Sequence, residues 1–253
     1  MAPPPEETIA QRYRLARRDR QLVVIEGFHA LKHALRFGAE LREAVAVDPQ
    51  LLEELARELA PDLAGQLADR VETVDAKTLA ELVPVVPPTG VVAIAGRPPI
   101  DLASTLADPR PAPVVLLEDP RNMGNVGACV RVAAAAGAAA VLTTGENDPW
   151  FPDAVRGAAG LHFALPVAAV ESLPETERPL LALDPEGEEL RPGMLPPRAV
   201  LAFGTERHGI SSELLDRADA RVAIPMREGV SSLNLATSVA VVLFAARLGA
   251  VAN

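Results

Sequence analysis

Three stretches concentrate the polar chemistry of this chain: NVGACVR (residues 125–131), FGTERHG (203–209) and IPMREGVSSLN (224–234). Each joins glycines, which let backbone approach a ligand closely, to a few polar residues between apolar, strand-like runs. Asn122, Gly124, Asn125 and Gly127 occupy a turn between a strand and a helix. Such a turn offers free amides at a helix start, suited to an anion, and ligands of open α/β sheets lie beyond the carboxyl ends of strands. The GNVG spacing is not the dinucleotide GxGxxG, and no GK[ST] follows, so a nicotinamide or ATP site lacks its main signal. Arg131, six residues after Asn125, is a charge within an apolar helix whose planar fork suits a phosphate. Gly204, Glu206 and Gly209 follow the strand AVLAF and set a carboxylate at its end, for ligand recognition or as a turn or cap. Ser232 and Asn234 precede the last apolar helix, as site residues or as its caps.

Other reactive side chains carry less. His208 has no second His or Asp pattern to make a triad or a metal site. Cys129, the single cysteine, sits in GACVRVAAAAG without a nearby His or zinc-ligand spacing, and reads as a buried small residue. His29 and His33 are four apart on a helix but lack a third ligand, so they read as a solvated or RNA-facing pair, and no metal is expected. Arg12, Arg14, Arg17, Arg18 and Arg20 crowd into nine residues, as a basic arm able to bind RNA or as a solvated helix face. The net charge of −10 argues against a nonspecific nucleic-acid binder, because phosphate contacts need local positive charge.

The elements that must position these residues follow from periodicity. Nearly half of the 253 residues are apolar but only 3% are aromatic, so the core is built from Ala, Val and Leu. Residues 1–10 are Pro-rich and acidic without periodicity, and 11–21 read as a polar helix or arm. Strand, helix, strand follow over 21–48, a helix over 49–69, and a short strand and helix after it, making a small α/β domain. GVVAIAG is a strand within the Pro-rich stretch 84–113, and the boundary falls in PPIDLASTLADPRPA. From VVLLEDP onward, strands AAVLTTG, HFALPVAAV, PLLALDP, AVLAFGTE and ARVAIPM alternate with helices, implying a mostly parallel sheet. SLNLATSVAVVLFAARLG closes the series as a buried or interface helix. The N-terminus lacks the apolar segment of a signal peptide and the apolar runs stop short of a membrane span, which points to a cytoplasmic protein away from membranes.

The three stretches resemble the signature motifs of the SpoU (TrmH-type) RNA ribose 2′-O-methyltransferases of the SPOUT class. The match holds N-x-G-x-x-x-R as Asn125, Gly127 and Arg131, then F-G-x-E-x-x-G as Phe203, Gly204, Glu206 and Gly209. It closes with I-P-M…S-L-N as Ile224, Pro225, Met226, Ser232, Leu233 and Asn234, in order and spacing over residues 114–248. VVIEGFHALKHAL, with Glu26 and Gly27, resembles the family's substrate-binding domain. The resemblance implies an α/β fold with a knotted C-terminal domain, bound S-adenosylmethionine, and a homodimer through the catalytic domain. It implies four segments: a flexible basic arm (1–20), an RNA-binding domain (21–98), a linker (99–112) and the catalytic domain (113–253). Phe203, Gly204, Ile224, Met226 and Leu233 would contact the cofactor. Arg131 would act as or help generate the base, with Asn125, Glu206, Ser232 and Asn234 orienting it and the ribose. Arg12, Arg14, Arg17, Arg18 and Arg20 would meet RNA, ribosomal ahead of transfer RNA.

The sequence departs from the family pattern twice. Ala158 and Gly160 stand where a Ser-x-Gly element is usual, and Leu235-Ala236 replaces Val-Ser. The competing readings are a catalytically silent RNA-binding or ribosome-assembly factor and a generic nucleotide-binding enzyme.

Overall fold

The structure, a computed structural model, describes residues 7–67, 70–205 and 209–251. It contains two compact units, Met1–Pro98 with Ala159–Phe163, and Pro99–Ala158 with Ala164–Asn253.

The first unit runs α1 (Ile9–Ala16), β1 (Leu22–Glu26), α2 (Phe28–Arg36), β2 (Leu41–Ala46), α3 (Pro49–Leu59), β3 (Glu72–Thr73), α4 (Ala76–Leu82) and β4 (Val91–Gly96). The sheet order is β1-β4-β2-β3, with β4 antiparallel to both neighbours and β2 parallel to β3. GVVAIAG is therefore a central strand, and its unbroken apolar run reflects cover on both faces. Tyr13, Ala16, Leu79 and Leu82, from α1 and α4, cluster with Val24, Val45, Val92 and Ile94. Helix α2 packs on β1 and β4 through its own buried residues, Phe28 and Leu31 among them.

Two expectations change here. The basic segment is not a flexible arm over its described part: Thr8 and Gln11 form a capping box, and α1 buries Tyr13 completely. The phenol donates to the Val92 carbonyl at 3.1 Å, and burial holds its pKa well above the usual range. Residues 1–6 lie outside the described part. Helix α3 stops at Leu59 rather than near residue 69, because Pro61 follows and a proline cannot extend the ladder.

The second unit runs α5 (Leu102–Ala107), β5 (Val114–Leu117), α6 (Met123–Ala136), β6 (Ala140–Thr143), α7 (Pro152–Gly157), β7 (Val167–Ala169), β8 (Leu180–Glu189), β9 (Val200–Phe203), α8 (Ser212–Arg217), β10 (Ala220–Ala223) and α9 (Leu235–Val251). Its sheet is parallel throughout, in the order β10-β8-β9-β5-β6-β7. β5 and β9 are buried along their whole lengths at its centre. The expected strand HFALPVAAV shrinks to Val167–Ala169, and Leu161–Phe163 before it is a 3-10 turn counted with the first unit.

The expected linker 99–112 is also corrected. Asp101 caps α5 by accepting from the Ser104 amide, and Leu106 joins the core of Val114, Leu116 and Val200. The buried Arg178 guanidinium donates to the carbonyls of Leu106 (2.7 Å), Ala112 (2.8 Å) and Asp108 (3.0 Å), which fastens this segment to the second unit.

Candidate cofactor and active site

The motif loops leave the carboxyl ends of β5, β9 and β10. The chain passes from β5 to β6 on one side, whereas the strands beyond β9 lie on the other, so β5 and β9 flank the switch point of the sheet. Parallel sheets open a crevice at such a point, because the loops leaving the two strands diverge.

A cavity of about 260 Å³ lies on the β9 side of this end of the sheet. Phe203, Gly204, Ile224, Met226 and Leu233, the five residues expected to meet a cofactor, all line it. Ser232 lines it too, with Asp184 from β8 and Thr205 and Gly209 from the second motif. Gly204 is glycine for a steric reason: a Cβ there would overlap the backbone of Gly209 and Ile210. Thr205 and Gly209 close the loop by exchanging two backbone hydrogen bonds, at 3.0 and 3.1 Å. Glu206 and His208, singled out from the sequence, lie outside the described residues.

Asn125 and Asn234 are brought together. The Asn234 Nδ2 amide donates to Asn125 Oδ1 at 3.2 Å, across 109 residues of chain. Asn234 is at the same time the cap of α9, its Oδ1 accepting from the amides of Ala236 (2.9 Å) and Thr237 (3.3 Å). The cap reading of this residue therefore holds, and its side-chain amide also reaches the first motif. Asn122 caps α6 by accepting from the Asn125 amide at 3.0 Å. Arg131 is exposed on α6 and makes no side-chain hydrogen bond or ion pair with any described residue. That leaves its fork available to an outside anion.

Gly127 of the first motif serves packing. A Cβ would overlap the Ala154 carbonyl, and Gly157 of α7 lies directly across from Gly124 and Gly127. The glycines thus let α6 and α7 cross at backbone contact. Cys129 is fully buried in α6, as its sequence context predicts.

Sequence reading missed Glu118, one residue past β5. Its carboxylate accepts from the Ser211 amide at 2.7 Å and from the Ser211 hydroxyl at 2.6 Å. A carboxylate next to a motif was the available signal, but its partner stands 93 residues away.

In the first unit the five arginines separate by role. Arg12 is paired with Glu43 at 2.6 Å, an interaction that raises its pKa. Half-buried Arg17 donates to Glu26 and to the Leu82 carbonyl, both at 2.9 Å. These two hold α1 in place, which corrects their reading as free RNA contacts. Arg14, Arg18 and Arg20 are exposed, and their side chains make no hydrogen bond or ion pair with a described residue. The expected solvated histidine pair also divides: His29 is exposed, whereas His33 Nδ1 donates to the Ala159 carbonyl at 2.8 Å.

A sequence model of the SpoU rRNA Methylase family matches residues 112–244, which span all three motifs. An uncharacterized tRNA/rRNA methyltransferase of Mycobacterium tuberculosis is 33% identical over 74% of this chain and 69% of its own. The 23S rRNA (adenosine(1067)-2′-O)-methyltransferase of Streptomyces azureus is 29% identical over 87% of this chain and 84% of its own. Among solved structures, the SpoU methyltransferase AviRb of Streptomyces viridochromogenes in complex with AdoMet superposes with a TM-score of 0.79. It is 25% identical, over 98% of this chain and 100% of that one. Motifs, parallel sheet and relatives agree: the chain belongs to the SpoU rRNA methylase family.

Proposed function

We propose that the chain is an S-adenosylmethionine-dependent RNA ribose 2′-O-methyltransferase acting on ribosomal RNA. The observation that carries this is the cavity at the ends of β9 and β10 and against the middle of β8, lined by every residue the motifs assign to the cofactor. The lining fits such a molecule. Phe203, Ile224, Met226 and Leu233 give apolar surface for a purine and an aliphatic chain, and the Gly204 backbone can approach without a Cβ in the way.

When bound, S-adenosylmethionine supplies a methyl group made electrophilic by its sulfonium, so the protein must add positioning and proton removal. Asn125 and Asn234, joined by their hydrogen bond, orient the ribose, with Ser232 at the cavity edge and Glu206 as the motif's carboxylate. The planar guanidinium of Arg131 grips an RNA phosphate and orients it to take the 2′-hydroxyl proton.

The first unit binds RNA in this reading, over residues 21–98, and residues 113–253 carry catalysis, with α5 added to the latter. The Streptomyces azureus relative, named for a 23S rRNA adenosine, favours ribosomal over transfer RNA as the substrate. Exposed Val241, Phe244 and Leu248 recur on one face of α9, which supports a homodimer through the catalytic unit. A trefoil knot around the motif loops belongs to the same reading, as does a cytoplasmic location. No described helix is long and apolar enough to cross a membrane.

The test is transfer of labelled methyl from S-adenosylmethionine to ribosomal and transfer RNA, with the modified ribose mapped. Arg131→Ala is expected to lower kcat by about a hundredfold or more while cofactor affinity stays within about twofold. Wild-type turnover in that variant would remove Arg131 from the reaction. Cofactor binding without transfer to any RNA would favour the silent RNA-binding factor.

A further inference from the structure

We propose that Glu118 is a positioning residue that holds Phe203–Thr205 and Gly209 of the second motif where they wall the cofactor cavity, with Ser211 as its partner. This rests on reading that cavity as the S-adenosylmethionine site. Glu118 bonds to the chain on both sides of the loop, at the motif's first residue and at Ser211, two residues past its last. Its backbone amide donates to the carbonyl of Phe203, where β9 ends, at 2.8 Å. Its carboxylate takes the amide and hydroxyl of Ser211, where the loop meets α8, at 2.7 and 2.6 Å. Between these anchors lie the Thr205–Gly209 exchange and the backbone contact of Gly204 with Gly209 and Ile210. The cavity wall from this loop is Phe203, Gly204, Thr205 and Gly209, none of which Glu118 itself replaces.

Two short hydrogen bonds to one carboxylate are charge-assisted and stronger than neutral ones. Ser211 also caps α8 by accepting from the Leu214 amide at 3.2 Å, so its hydroxyl donates to Glu118 while its lone pair holds the helix. Removing the carboxylate leaves the Ser211 amide without its acceptor and releases the downstream end of the loop. The upstream end stays in the β5–β9 ladder, because that bond is made by backbone.

The experiment compares the full chain with Glu118→Ala, Glu118→Gln, Ser211→Ala and the combined Glu118→Ala, Ser211→Ala variant. It reads S-adenosylmethionine affinity by calorimetry, kcat and KM for the cofactor, and amide hydrogen exchange at Thr205 and Gly209. Glu118→Ala is expected to weaken cofactor binding by roughly ten- to a hundredfold. Exchange protection at Thr205 and Gly209 falls with it, while RNA affinity holds. Glu118→Gln recovers part of both effects, since its carboxamide can still accept from the Ser211 amide and donate to the hydroxyl. The Ser211→Ala and Glu118→Ala effects on cofactor affinity are less than additive when combined.

A Glu118→Ala protein with lower thermal stability but unchanged affinity and unchanged exchange at those two amides overturns the proposal. Full additivity does the same. If Glu118→Ala does not fold, Glu118→Gln and Ser211→Ala decide by the same readings. An unaltered chain that binds no S-adenosylmethionine overturns the cofactor reading itself. In that case the exchange at Thr205 and Gly209 still decides whether Glu118 holds the loop.

Discussion

Asn234 uses both ends of its carboxamide, the oxygen on the first amides of α9 and the nitrogen on Asn125. The two roles can be separated. Aspartate caps a helix about as well as asparagine but has no amide to donate, so Asn234→Asp keeps the cap and loses the bond to Asn125. Its thermal stability should stay close to that of the unaltered protein while methyl transfer falls at least about tenfold. Asn234→Ala should lose about 1 kcal/mol of stability as well. Equal activity in the unaltered and Asp forms would leave Asn234 as a cap alone. The position of Asn234 was legible because polar residues stand out ahead of an apolar helix. Its double use was not, since the sequence does not say which residue from 109 positions earlier will lie against it. A separation of 93 residues hid Glu118 in the same way, and a string of five arginines could not announce that carboxylates at 26 and 43 would claim two of them.

At the scale of elements, the crossing of α6 and α7 depends on small residues. Gly127→Ala places a methyl in the Ala154 carbonyl, a backbone atom that cannot swing aside. A loss of about 1–3 kcal/mol in denaturant unfolding is expected, as for overpacking elsewhere, with Arg131 on the same helix displaced. An alanine variant of unchanged stability would show that the helices can separate without cost. Sequence periodicity located α6, α9 and the parallel strands because each is long or continuously apolar. It missed α5, whose Asp101 and Ser104 cap sits among prolines that read as linker. It left α1 open between a polar helix and an arm, because an Arg-rich surface masks the one stripe that carries Ile9, Tyr13 and Ala16.

For the molecule as a whole, a net charge of −10 requires local basic surface for RNA. Arg14, Arg18 and Arg20 are the exposed part of the N-terminal cluster. Replacing all three with glutamine should weaken RNA binding and flatten its dependence on salt, by up to about one unit of slope for each phosphate no longer neutralised. The folded state should be little changed, because the three side chains bond to no described residue. Arg12 and Arg17 replacements should do the reverse, destabilising α1 with little effect on the slope. A salt slope that is unchanged in the triple variant would return those arginines to a solvated helix face.

The order β10-β8-β9-β5-β6-β7 also governs when the site can exist. β5 and its motif emerge early in the second unit, but their partners at β9, β10 and Asn234 are synthesised much later. Closing a loop of 109 residues costs roughly 4 kcal/mol of chain entropy beyond a fixed term, and no local interaction offsets it beforehand. A parallel sheet with such distant pairings folds slowly. While a ribosome is still making this chain, the first unit can already form its four-stranded sheet, whereas the cavity lacks half of its walls until residues 224–238 have emerged. Capacity to bind the cofactor is thus acquired late and all at once, as the final strand and helix close on segments that have been waiting for them.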